Sequence, residues 1–191
     1  EGNRTFRGKD KAYSILNLPK DLLCYKEKIK VILFDVPIFE ENEGAWLACA
    51  LQRDSMLRGL NDCNAEDFII FSEIDEIMRP EKIDEAMKLL DSGFESIIFD
   101  QDCFCYYLNV MDSNGWEGQR MLKFDTILRK KLSPQIIVND DYFDKSTSTR
   151  LAKSGWHFQN LGGPNRVVKK LQSSCHCELG TEKYSNFEIV T

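Results

Sequence analysis

The spacing of apolar residues predicts an alternation of strands and helices along most of the chain. Lys30-Val31-Ile32-Leu33-Phe34 is a short apolar run rich in β-branched residues, which predicts a buried strand that Asp35-Val36-Pro37 ends. A helix is predicted from Glu43 to Leu60 with Asn42 as N-cap, because Trp46, Cys49, Ala50, Leu57 and Leu60 recur on one face at helical spacing. Asp67-Phe68-Ile69-Ile70-Phe71 is the strongest buried-strand signal and runs directly into Ser72-Glu73-Ile74-Asp75-Glu76. Pro80 opens a second helix with Ile83, Ala86, Met87 and Leu90 on its core face, and Gly93 stops it. Ser96 to Val110 reads as one long strand or a pair, and Trp116 to Leu132 has no decisive period. Asp140 to Thr149 is polar and reads as a loop. Gly155-Trp156-His157-Phe158 follows, then a turn at Gly162-Gly163 and a helix from Pro164 through Leu171. This alternation predicts an α/β fold, a mostly parallel central sheet flanked by helices. With no repeat, low-complexity tract or linker, residues 1–191 read as a single domain.

The bulk composition narrows the function. Of 191 residues 42% are hydrophobic and 29% charged, ordinary for a globular chain with a sizeable core. A net charge of -6 argues against nucleic acid as partner, since phosphate binding needs a basic footprint. Arg129-Lys130-Lys131 and Lys169-Lys170 read as solvated surface. No apolar run approaches the roughly 20 residues of a membrane span, and no signal peptide is visible. The chain starts at Glu1 rather than Met, so an upstream segment, cut away or simply not included, is allowed for, and the absence of a targeting signal is weak evidence. The seven cysteines (24, 49, 63, 103, 105, 175 and 177) lack the spacing of a disulfide scaffold, which favours a reducing compartment such as the cytoplasm. Cys103 and Cys105, with Cys175-His176-Cys177, raise a zinc reading, but structural zinc favours wider knuckles, so buried apolar thiols are the better one.

The chemistry concentrates where the Phe68–Phe71 strand ends. In α/β sheets ligands bind beyond the carboxyl ends of strands. Glu73, Asp75 and Glu76 put three carboxylates in four residues, an arrangement that repels itself unless a cation binds. Hard cations such as Mn²⁺ or Mg²⁺ take oxygen ligands, and a spacing of two along an extended segment would point Glu73 and Asp75 to one side. The two histidines, His157 and His176, both lie in the last third, where one can complete the coordination of a metal held by the early carboxylates. Arg53 falls on the apolar face of its helix and needs a partner there, either a carboxylate or an anion such as a diphosphate. Trp116, between Asn114-Gly115 and Glu117-Gly118, is either a core residue or a platform on which an acceptor sugar stacks.

Ser72-Glu73-Ile74-Asp75-Glu76-Ile77 resembles the S-D-x-D-E-I-P signature of glycosyltransferase family 17, the family of the bisecting β-1,4-N-acetylglucosaminyltransferase and its bacterial and viral relatives. Other segments agree in order. Glu1-Gly2-Asn3-Arg4-Thr5-Phe6-Arg7-Gly8-Lys9 resembles E-x-N-x-T-F-x-G-K, and Trp46 with Gln52-Arg53 resembles the helix W-x-x-E-x-x-Q-R. Gly155-Trp156-His157-Phe158 resembles G-W-H-F, and Ser174-Cys175-His176-Cys177-Glu178 resembles S-x-H-x-E. Glu73 stands where the family has Asp, Met78 replaces Pro, and Ala48-Cys49-Ala50 carries no acid where the helix motif has Glu. The family's first strand would lie upstream of Glu1.

The resemblance implies a GT-A fold and an inverting transfer from a nucleotide-diphosphate sugar, UDP-linked by default, to a glycan acceptor, with Mn²⁺ or Mg²⁺ on the diphosphate. It makes Asp75, Glu73 and His157 the metal ligands, with His176 as the alternate. Glu1, Thr5, Lys9, Arg53, Glu73 and Asp75 become the donor and cofactor contacts. Trp116, Trp156 and His176 become the acceptor contacts. Asp75 is the first catalytic candidate, and the general base is left open among Glu117, Asp102, Asp140 and Asp141. Two alternatives stand beside this. A sugar-1-phosphate nucleotidyltransferase would use the same carboxylates, but it needs an early glycine-rich loop, and Gly162-Gly163 is late and short. A non-catalytic sugar- or nucleotide-binding module would keep the fold without the reaction. Glycoside hydrolysis is excluded, because Glu73 and Asp75 are too close in sequence to flank a scissile bond.

Overall fold

A computed structural model describes residues 4, 10–11, 20–35, 37, 43–138 and 142–175. The chain divides into two compact units, Glu1–Asp62 with Val167–Thr191, and Cys63–Arg166.

In the first unit a 3₁₀-helix spans Lys20–Lys28, α1 spans Glu43–Asp54, and a second 3₁₀-helix, Ser55–Leu60, continues α1. The predicted helix is therefore present, but its last turns tighten where Ser55 Oγ donates to the Gln52 carbonyl at 2.7 Å. Its buried residues are Ala45 and Ala48, of which Ala45 clusters with Cys175 and Cys49, while Trp46 is 48% exposed. The large residues of α1 are spread around the helix, so their spacing misplaced the buried face. The strand expected at Lys30–Phe34 does not form. A strand needs a ladder partner. This segment is instead held by the second 3₁₀-helix and the turn after it: Arg58 Nη2 donates to the Leu33 carbonyl at 2.6 Å, and Lys30 pairs with Asp62 at 2.8 Å. The N-cap residue Asn42 lies outside the described residues.

The second unit is mixed α/β. It holds β1 (Phe68–Phe71), β2 (Glu76–Met78), α2 (Pro80–Asp91), β3 (Ser96–Cys105), β4 (Met111–Lys123), α3 (Phe124–Lys130), α4 (Pro134–Ile137) and β5 (Ser148–Gln159), and α5 (Pro164–Leu171) begins there. α2 matches its predicted pattern. Pro80 occupies its first turn, Ala86 and Leu90 are buried, and Ile83 and Met87 pack beside them against Ile97, Phe99, Met121 and Leu151. Gly93, at φ +114°, ends it in a Schellman arrangement, with Gly93 N–H on the Leu90 carbonyl and Phe94 N–H on Leu89.

The five-stranded sheet has the order β1-β4-β3-β5-β2. Only β3 and β5 pair in parallel; β1–β4, β3–β4 and β2–β5 are antiparallel. The expectation of a mostly parallel sheet is corrected. β1 and β3, joined through α2, do run the same way, but β4 inserts between them. The short link from Cys105 to Met111 allows only an antiparallel hairpin, since a parallel crossover needs a dozen or more residues. β1, β3 and β5 therefore share one carboxyl end.

β1 and β2 lie at opposite edges, yet only Ser72–Asp75 joins them. Four strand spacings of ~4.8 Å come to about 19 Å across a flat sheet. Five residue steps reach at most ~18 Å when fully extended. This link is a turn, so the sheet curls to bring β2 back over β4.

Gly155 allows β2 to approach β5 closely, because a Cβ there would overlap the Ile77 carbonyl. Gly155→Ala is expected to cost about 1–3 kcal/mol by forcing that backbone apart. At Gly59 an added Cβ would sit in ordinary contact, 3.6 Å from Ile32 Cγ1, so Gly59→Ala is the neutral control in urea unfolding. Equal midpoints for the two variants would contradict this account of β2–β5 pairing.

Candidate functional site

The segment after β1 is a turn, not an extended run. Glu76 N–H donates to the Glu73 carbonyl at 3.3 Å, and Ile74 stands at the tip, 96% exposed. The alternation expected to point Glu73 and Asp75 to one side therefore does not apply. Nor do the three carboxylates converge on one point. Glu76 turns inward and is buried, where its Oε1 accepts from the Trp116 indole N–H at 2.6 Å and its Oε2 from the Glu73 N–H at 2.9 Å. Burial raises its pKa. The indole and the Glu73 N–H oppose that rise, and the Glu73 and Asp75 charges add to it.

A glutamine relay holds the turn from below. Gln101 Nε2 donates to Gln119 Oε1 at 2.9 Å, and Gln119 Nε2 donates to Ser72 Oγ at 2.6 Å and to the Glu76 carbonyl at 2.8 Å. Both glutamines are buried. Gly118 lies under the indole, where a Cβ would overlap the Glu76 carboxylate and come within 2.6 Å of the Trp116 ring.

β5 then brings the late histidine to the same end. Glu76 and His157 are register partners, and Phe158 N–H donates to the Asp75 carbonyl at 2.9 Å. His157 Nε2 lies 3.8 Å from Asp75 Oδ1, and its ring packs 4.3 Å from Trp116. The separation of 3.8 Å suits two ligands of one small divalent cation, because ligands ~2.1 Å from an ion lie about 3–4 Å apart. A carboxylate with an imidazole is a donor set that Mn²⁺ accepts. Among the described residues no group of three or more His, Cys, Asp or Glu side chains is arranged for a metal ion, so Asp75 and His157 are a pair and not a set of three. On the far side of the ring, Cys103 Sγ lies 4.0 Å from His157 Nδ1 and 3.8 Å from Cys105 Sγ. Burial, then the neighbouring Cys105, push the Cys103 thiol up to about 12.

The sheet separates other expected site residues from this group. Trp156 and Asp102 are register partners one step from the Cys103–His157 pair, so they face the opposite side. There Arg79 stacks 4.1 Å over Trp156 and pairs with Asp102 at 3.9 Å. Glu117, next to Trp116, also faces that side and pairs with Arg150. Burial lowers the pKa of the neighbouring Arg120 and raises that of Asp100, and Glu117 and Arg150 act on both. Arg53 belongs to the first unit, on α1, near Cys175. Glu1, Thr5, Lys9, Asp140, Asp141 and His176 lie outside the described residues.

The sequence reading missed Gln101, Gln119 and the role of Cys103. Their neighbours along the chain gave no signal, since Gln101 lies between Asp100 and Asp102 and Gln119 between Gly118 and Arg120; burial, which demands partners for an amide, is what reveals them.

The chain matches no protein-family profile, no curated protein and no solved structure. No described helix is long and apolar enough to cross a membrane.

The raised pKa of Glu76 has a definite sign in stability. The folded carboxyl holds its proton to higher pH than the unfolded one, so stability falls as pH rises above the ordinary value of 4.5. Glu76→Gln cannot ionise. Its stability relative to the wild type is expected to increase between pH 4.5 and pH 7. Urea midpoints at the two pH values check this, and a constant difference would remove the perturbed carboxyl.

Proposed function

We propose that this chain is a metal-dependent glycosyltransferase of the family 17 type on a GT-A fold, moving a sugar with inversion from a nucleotide-diphosphate donor, UDP-linked by default, to a glycan acceptor. One observation carries the reading. Asp75 and His157, far apart in sequence, lie 3.8 Å from each other at the shared carboxyl end of β1, β3 and β5. Both belong to segments that resemble the family's motifs, and the pairing is the one the metal role requires.

Asp75 and His157 would hold Mn²⁺ or Mg²⁺, and the bound ion supplies neutralisation of the charge that develops on the leaving nucleoside diphosphate. The remaining work falls to the chain. Asp75 is fixed through its own backbone carbonyl by Phe158 N–H, so the carboxylate is oriented from β5. Glu76 is used up as the indole acceptor, and Glu73 supplies that clamp with its N–H. Trp116, 39% exposed and gripped at its nitrogen, offers a ring beside His157 that a sugar can stack on. Asp102 and Glu117 are engaged by arginines on the opposite face, which weakens both as the base for an acceptor hydroxyl bound near Trp116.

Calorimetric titration of UDP, in EDTA and in Mn²⁺, tests this. Affinity is expected to require the cation, and Asp75→Asn and His157→Ala are each expected to lower it by a factor of ~10 or more, the scale on which metal-site changes act. A hydrolysis screen of UDP-, GDP- and TDP-sugars reads the same variants. Equal UDP affinity in both buffers would refute the metal role.

A further inference from the structure

We infer that Cys103 and Cys105 are an oxidative modification site: they close a reversible disulfide by exchange with small-molecule disulfides, and the bridge shifts the sulfur that backs the His157 imidazole. The two sulfurs are 3.8 Å apart on one face of β3, and Cys103 Sγ is 4.0 Å from His157 Nδ1. Residues two apart on a strand have Cα atoms about 6.6 Å apart. That lies at the upper end of the ~4.4–6.8 Å range that disulfides span. Cys103 to Cys105 keep regular register with β5, so closure has to bend the strand at its last residue: β3 ends at Cys105, followed by Tyr106 at φ +66°.

Access orders the steps. Cys105 is half-buried and donates to Gln159 Oε1 at 3.3 Å, whereas Cys103 is buried. The Cys105 sulfur attacks one sulfur of the small disulfide, breaks its S–S bond and releases the first thiol. The Cys103 sulfur then attacks the Cys105 sulfur of this mixed disulfide and releases the second. Two cysteine thiols are oxidised, one small disulfide is reduced to two thiols, and both protons end on those thiols. Closure draws the sulfurs together by about 1.8 Å, to the bond length of ~2.05 Å, which loosens Cys103 from His157. A ring this tight is strained and readily reduced again.

The bridge itself does not depend on the proposed function; its effect on metal binding rests on that reading of His157. The test treats the full chain with oxidised glutathione, alkylates remaining thiols and digests with chymotrypsin, which cuts after Phe104. Fragments carrying Cys103 and Cys105 are expected to stay linked until reduced, and to be unlinked in Cys105→Ser. Glutathione retained on Cys105 without the link, or no modification, would overturn the bridge. Titration with Mn²⁺ alone is expected to show ~10-fold weaker binding in the oxidised chain, the scale of outer-shell changes. Linked fragments with unchanged Mn²⁺ affinity would overturn the coupling to His157. No Mn²⁺ binding by the reduced chain would instead overturn the metal-dependent reading while leaving the bridge standing.

Discussion

The buried carboxylate of Glu76 is the interaction on which the site depends. Sheet order puts β1 and β2 at opposite edges, and Ser72–Asp75 is too short to join them across a flat sheet. The sheet must curl, and a curled sheet stays curled only if something on β2 is held to the strands it covers. Glu76 does this through the Trp116 indole on β4, while its main chain pairs with His157 on β5 and accepts from Gln119. Burying a carboxylate is costly, and the raised pKa is the trace of that cost. The hydrogen bonds offset it and leave the group oriented.

From that clamp the placement of the other groups follows. With Glu76 turned inward, the turn presents Asp75, and β5 brings His157 beside it. Trp116 is fixed at its nitrogen and lies against the imidazole, so its ring has little freedom to swing. The other side of the same strands carries a different population, Arg79 on Trp156 with Asp102, and Glu117 with Arg150. Two tryptophans of the chain thus serve different faces of one sheet. One face carries the carboxylate–imidazole pair of Asp75 and His157, and on the other Asp102 and Glu117 are paired with guanidinium groups.

The features legible in the sequence are those that neighbours along the chain decide. The Phe68–Phe71 strand followed by carboxylates, the α2 face of Ile83, Ala86, Met87 and Leu90, the proline starts at Pro80 and Pro164, and the stop at Gly93 depend on local spacing and local backbone preference. Pairing does not. Whether Lys30–Phe34 finds a ladder partner, and whether β4 inserts between β1 and β3, are settled by residues tens of positions away. The acidic turn shows the division most plainly. The sequence determined that three carboxylates crowd the end of an apolar strand. Only the tertiary structure decided that Glu76 faces an indole, that Asp75 faces an imidazole, and that a cysteine backs that imidazole. Strand register, a long-range hydrogen-bonding choice, sets which side chains share a face, and a shift of one residue would send every one of them to the other side.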